Sequence, residues 1–93
     1  MLTIYTKDGC DYCDVAKSHL KKHNIVYEEV NVGIDKQAKE FVLSQGHKTV
    51  PQIYYHNELF ESGGAEELKL LSKEEIQSRM EKINGKNKKK HSV

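Results

Sequence analysis

Cysteine is scarce in this chain, with two residues in 93. Two cysteines cannot staple a fold of this size, so a disulfide scaffold is excluded. Two close thiols in a reducing compartment point instead to redox catalysis or metal binding. Long apolar runs are missing as well. Nothing approaches the roughly 18 residues that a membrane span needs. The N-terminal stretch Met1-Leu2-Thr3-Ile4-Tyr5-Thr6 meets charge at Lys7 and Asp8 and lacks the apolar core of a signal peptide. These absences lead to the expectation of a cytoplasmic protein with no membrane partner. Internal repeats and Pro- or Ser-rich linkers are absent too. A chain of 93 residues encloses one compact core, with no room for a separate substrate domain.

A large net charge is the last absence, the formal value being +1. That near-balance hides an asymmetry. Residues 86–93 hold four lysines and no acid, leaving residues 1–85 with 11 basic and 14 acidic side chains, a net −3. The expected division is a domain over 1–84 and a basic tail over 85–93. The tail has almost nothing apolar to bury and is expected to be disordered. Its lysines could attract an acidic partner or simply aid solubility. Without interleaved aromatics, and beside an acidic body, they make nucleic-acid binding unlikely.

What is present reads as alternating elements. Leu2-Thr3-Ile4-Tyr5-Thr6 is β-branched and aromatic and predicts a strand. Residues 11–23 predict a helix with Val15, Ala16 and Leu20 on one face. Ile25 to Val32 alternates as a second strand. Asp35 is a suitable N-cap for a helix to about Gln45, with Ala38, Phe41 and Val42 inward and Gly46 as its stop. Gln52-Ile53-Tyr54-Tyr55 and Glu58-Leu59-Phe60-Glu61 predict a hairpin turned by His56-Asn57. A helix with Leu68 and Leu71 inward follows Gly63-Gly64. Ser72 with Glu75 three residues on opens a last helix carrying Ile76, Met80 and Ile83. The order β-α-β-α-β-β-α-α makes the first two strands parallel and the last two antiparallel. The predicted fold is α/β, a four-stranded mixed sheet with helices on both faces.

Cys10-Asp11-Tyr12-Cys13 falls where the first strand ends and the first helix begins. Free N–H groups and the positive end of the helix dipole favour a thiolate there, and Lys7 adds positive charge. Cys10 is expected to be the exposed nucleophile. Cys13, about one turn further in, would be the less accessible partner that resolves a mixed disulfide. Zinc held by Cys10, Cys13, His19 and His23 fails on distance. At 1.5 Å per residue His19 lies about 9 Å along the axis from Cys13, whereas zinc ligands sit within about 2.3 Å of the metal. No metal site is expected, and His19 and His23 read as surface residues.

Three segments in this order resemble the glutaredoxins. They are Ile4-Tyr5-Thr6-Lys7-Asp8-Gly9-Cys10-Asp11-Tyr12-Cys13, then Thr49-Val50-Pro51 before a strand, then Gly63-Gly64-Ala65-Glu66 opening a helix. The resemblance spans about residues 1–83 and leaves out the tail. It implies a thioredoxin-like fold (β-α-β-α-β-β-α) and a dithiol enzyme of the small bacterial or bacteriophage kind. It implies that Cys10 and Cys13 are catalytic and that glutathione is a co-substrate, with no cofactor bound permanently. It further implies that Pro51, which position alone would make an ordinary trans residue, is cis, with Thr49 beside it and Val50 pairing its backbone with the cysteinyl part of glutathione. Tyr12 would flank that group. Lys7 and His47 would meet the glycine carboxylate, His47 standing where Arg or Gln is usual. Gly63, Gly64 and the N–H groups of Ala65 and Glu66 would meet the γ-glutamyl end. Glu66 would contact the ligand's ammonium group or serve only as a first-turn acid.

Asp11 departs from the family, which usually has Pro between the cysteines. A carboxylate there, with Asp8 and Asp14 near, opposes thiolate formation and predicts a more reducing couple. The resemblance implies a monomer that reduces disulfide-containing proteins, ribonucleotide reductase being one candidate acceptor. Two alternatives keep the fold. One is a redoxin fed by thioredoxin reductase. The other is a carrier in which two subunits share a [2Fe–2S] cluster, against which Asp11 argues because carriers usually have a small residue there.

Overall fold

The computed structural model describes residues 1–61 and 63–91, with residues 86–91 as backbone alone. Leu2–Thr6 forms β1, where Leu2, Ile4 and Thr6 are buried and Thr3 and Tyr5 only half-buried. That alternation is the period of two of a strand between unlike layers. β1 pairs in parallel with β2 (Tyr27–Asn31), matching Leu2 to Tyr27 and Thr6 to Asn31. On its other edge it runs antiparallel to β3 (Gln52–Tyr55), matching Ile4 to Ile53. β4 (Glu58–Leu59) completes the hairpin, and the order across the sheet is β2-β1-β3-β4. The expected four-stranded mixed sheet is therefore present. His56 and Asn57 both take positive φ, 51° and 64°, the left-handed pair that a two-residue hairpin turn requires.

Helices cover both faces. On one lie α1 (Asp11–Lys22), α3 (Gly64–Leu68) and α4 (Lys73–His91). Their Ala16, Leu20, Ala65, Leu68 and Ile76 join Leu2, Ile4, Ile53 and Tyr55 in one core, with Met80 and Ile83 packed against it. On the other lies α2 (Lys36–Ser44), whose Phe41 ring meets Tyr5 at 5.6 Å and Tyr54 at 5.2 Å. Asp35 caps α2 by accepting the Ala38 N–H at 3.0 Å. Ser72 and Glu75 exchange reciprocal bonds at 3.0 and 3.1 Å at the start of α4, a complete capping box.

Two expectations shift. Val15 is 41% exposed. At about 100° per residue it points away from the stripe of Cys13, Ala16 and Leu20, because burial of Cys13 sets the rotation of the helix. The fourth strand is shorter than Glu58–Glu61, although Phe60 still donates its N–H to Ile53 O at 2.9 Å. The backbone of α4 continues to His91, into the segment expected as a tail. The last two residues of that expected tail, Ser92 and Val93, lie outside the described residues.

Candidate active site

The dithiol sits where β1 hands the chain to α1. Gly9 takes φ +72° in the connecting turn, a conformation that suits glycine. Cys10 is the N-cap of α1, and its sulfur accepts the Cys13 N–H at 3.1 Å. The two cysteines are joined as a disulfide, with Cα atoms 5.2 Å apart. Cys13 is 1% exposed, whereas Cys10 is half-buried. The asymmetry expected of a nucleophile and a resolving thiol is thus built into the helix start. Behind it, Thr6 Oγ1 donates to Glu29 at 2.8 Å, and Lys17 pairs with the same carboxylate at 3.0 Å. The Thr6 hydrogen bond first, and Lys17 second, hold the Glu29 carboxyl below its ordinary range.

The second wall comes from the segment before β3. The Val50–Pro51 bond is cis, and Val50 O lies 3.8 Å from Cys10 Sγ. Gln52 pins this segment by donating its side-chain amide to Thr49 O at 2.9 Å. The third wall is Gly63–Gly64 and the first turn of α3. Gly64 takes φ +61°, and a Cβ there would stand 3.4 Å from Pro51 O. A Cβ on Gly63 would run into the Glu67 side chain at 2.5 Å. Close approach therefore demands glycine at 63, and the left-handed φ demands it at 64.

Tyr12, Thr49, Val50 and Pro51 face Gly63, Gly64, Ala65 and Glu66 across one groove of about 320 Å³. Tyr12 is 58% exposed, a flat ring at its mouth. Lys7 and His47 line a neighbouring cavity of about 220 Å³ that shares Thr49 and Val50 with the groove. Every residue that the resemblance assigns to glutathione lines one of these two depressions, which meet at Thr49 and Val50.

Sequence reading missed three things there. Lys39 from α2 and Lys48 join Lys7 in the second cavity, making it strongly basic. No local pattern marks them, since exposed lysines on a helix and in a loop look like ordinary solvated charge. His47 is not a free loop residue, because its Nε2 lies 2.6 Å from the Tyr54 hydroxyl. Burial raises the Tyr54 pKa, with Tyr5 contributing second, so that hydroxyl stays neutral. Glu61, read only as part of a strand, is 5% exposed. Its Oε2 accepts the Gly63 N–H at 2.8 Å, while Oε1 is buried with no hydrogen-bond partner among the described residues. Burial pushes its carboxyl up to about 7, with Glu67 adding to the effect and Gly63, Arg79 and Gly64 opposing it.

The histidines of α1 also need correction. His19 is half-buried, with Nε2 2.8 Å from Leu71 O, and its ring stacks edge-on against His23 at 4.6 Å. His19 therefore ties α1 to the junction before α4 rather than standing in solvent. Among the described residues no three His, Cys, Asp or Glu side chains come together as metal ligands. Nor is any described helix long and apolar enough to cross a membrane.

Known proteins share this arrangement. The glutaredoxin family model matches residues 2–60. The chain is 40% identical to Glutaredoxin 1 of Rickettsia prowazekii (strain Madrid E), the match covering 78% of each protein. Its fold resembles the solution structure of glutaredoxin from Brucella melitensis at a TM-score of 0.61, with 30% identity and 78% of each chain covered. It also resembles the thioredoxin-like protein BC3987 at a TM-score of 0.64 and 27% identity, covering 77% of this chain and all of that one. A Cys-x-x-Cys disulfide at a helix start, on a thioredoxin-like fold and with these relatives, places this chain in the glutaredoxin family of thiol–disulfide oxidoreductases.

Proposed function

We propose that this protein reduces protein disulfides and glutathione mixed disulfides, with glutathione as co-substrate and no resident cofactor. One observation carries the reading. The more open sulfur of the Cys10–Cys13 pair lies beside Val50 at the edge of the groove walled by Pro51 and Gly63–Gly64. In the forward step the Cys10 thiolate attacks one sulfur of a substrate disulfide, forming a mixed disulfide and expelling the other sulfur as a thiolate, which takes up a proton. Cys13 then attacks Cys10 Sγ, releasing the second substrate thiol and closing the Cys10–Cys13 disulfide. Two glutathiones restore the dithiol and leave as glutathione disulfide. On a glutathione mixed disulfide, Cys10 takes the glutathionyl group and a second glutathione removes it, so Cys13 is dispensable.

The groove supports the recognition that goes with this chemistry. Val50 can offer its backbone to the cysteinyl part in the manner of an added strand, with Tyr12 and Thr49 alongside. The γ-glutamyl end would lie along Gly63, Gly64, Ala65 and Glu66. The glycine carboxylate would meet Lys7 and His47, with Lys39 and Lys48 adding positive charge. We further infer a monomeric cytoplasmic enzyme whose activity resides in residues 1–84, with ribonucleotide reductase one candidate acceptor.

The test is glutathione-dependent reduction of a small mixed disulfide by wild type, Cys10→Ser and Cys13→Ser, with thioredoxin reductase as the alternative electron source. The expected outcome is activity with glutathione that vanishes in Cys10→Ser and partly survives in Cys13→Ser. Efficient reduction by thioredoxin reductase without glutathione turnover would move the protein to the redoxin alternative and remove the glutathione-site assignments.

A further inference from the structure

Outside the dithiol, the described residues bury one carboxyl that lacks a partner for one of its oxygens. Glu61 is 5% exposed, and Oε1 makes no hydrogen bond to any described residue. Its Oε2 holds the Gly63 N–H at 2.8 Å, directly behind the wall of the groove. A buried carboxyl with an idle oxygen is costly when ionised, because nothing replaces the water it has lost. The charged groups that reach it are Glu67 from α3 and Arg79 from α4. Arg79 spends its charge on Glu67, Nη1 to Oε1 at 3.2 Å, so it leaves Glu61 largely uncompensated.

We propose that Glu61 is a specificity-determining residue of the groove, admitting the anion glutathione when its carboxyl is protonated and repelling it when ionised. The inference rests on the glutathione reading above. Its physical content is a charge switch behind a wall that has no side chains of its own. Gly63 and Gly64 place only backbone between the buried carboxyl and whatever occupies the groove. Taking on the order of 10 Å between this carboxyl and the net negative charge of glutathione, at an effective dielectric of ~20, ionisation changes affinity on the order of tenfold. Burial places the proton's departure near neutrality, at about 7. By reciprocity, ligand binding must draw a proton onto Glu61. The adjoining cavity holds Lys7, Lys39, Lys48 and His47, so an isosteric neutral variant is needed to isolate Glu61.

The experiment is calorimetric titration of the oxidised full-length protein with S-methylglutathione, which has no thiol to react. It is run between about pH 6 and about pH 8, in two buffers of different ionisation enthalpy. Wild type should lose on the order of tenfold in affinity over that range and take up protons on binding near neutrality. Glu61→Gln keeps an acceptor for the Gly63 N–H, so it should lose less than about threefold and show smaller proton uptake. Parallel pH dependence in the two proteins would overturn the proposal while leaving the glutathione reading intact. No binding by either protein at any pH would remove both. Should Glu61→Gln not fold, Glu67→Gln serves instead. Removing that neighbouring negative charge should move the wild-type midpoint to lower pH, and an unmoved midpoint would overturn the proposal.

Discussion

Asp11 shows how one residue can tune a site without touching a ligand. It occupies the first turn of α1, where an acid complements the dipole, so the helix accepts it. The same charge stands next to Cys10, and Asp14 lies in the same first turn. Replacing Asp11 with Pro removes the adjacent negative charge and should make the couple less reducing. Wild type is expected to lie below the roughly −200 to −230 mV typical of glutaredoxins. A redox titration against glutathione checks this, and an Asp11→Pro potential more negative than wild type would sink it. Glu61 makes a second prediction, this one about stability. Its folded pKa is raised from 4.5 to about 7, so the folded state holds the proton more tightly than the unfolded chain. Stability is then highest below the ordinary carboxylate range, falls as pH rises toward about 7, and is level above that. Glu61→Gln should match wild type in acid and exceed it by on the order of 2–3 kcal/mol at about pH 8. Urea denaturation of both proteins at the two pH values would show it, and parallel stabilities would refute it. Residues with local roles, Cys10, Cys13 and the Gly63–Gly64 pair, were legible from spacing and resemblance. Glu61 was not, because a charged residue in a hairpin reads as exposed until an adjoining helix covers it.

Elements followed their local signals closely. Asp35 and Ser72 start helices because each supplies an oxygen to an orphan N–H three residues on. The Ser72–Glu75 box is worth testing, since α4 carries Ile76 into the core. Ser72→Ala should cost about 1 kcal/mol without changing the activity of the folded enzyme. Thermal unfolding measures the first and a standard disulfide assay the second. Where elements departed from expectation, packing had overruled pattern. Val15 is as apolar as its neighbours, yet the helix turns Cys13 inward and leaves Val15 41% exposed. β4 pairs only Glu58 and Leu59 with Tyr55 and Tyr54, and the Phe60 N–H to Ile53 O carries the ladder one bond further.

At the scale of the whole molecule, the charge asymmetry becomes a question about α4. The helix continues into the lysine-rich segment, while its apolar residues packed on the core end at Ile83. Ending the chain after Gly85 removes four lysines and takes the net charge from +1 to −3. Glutathione-dependent activity and the unfolding midpoint should both stay close to wild type, since Met80 and Ile83 keep their contacts. A loss of activity confined to one protein substrate would instead mark the tail as a docking element for that substrate.

The sequence by itself determined the elements, their order, the hairpin turn, the caps and the dithiol's place at a helix start. Each of these follows from interactions between residues a few positions apart, and such interactions leave a pattern in the chain. Tertiary structure alone decided which residues the sheet and helices bring together from distant positions. It set β1 between β2 and β3, put Lys39 and Lys48 beside Lys7, tied His47 to Tyr54, and sealed Glu61 behind a glycine wall. The strand order and the lysine cluster join positions tens of residues apart, and even the short contacts, His47 to Tyr54 and Glu61 to Gly63, depend on burial that exists only once the core has closed.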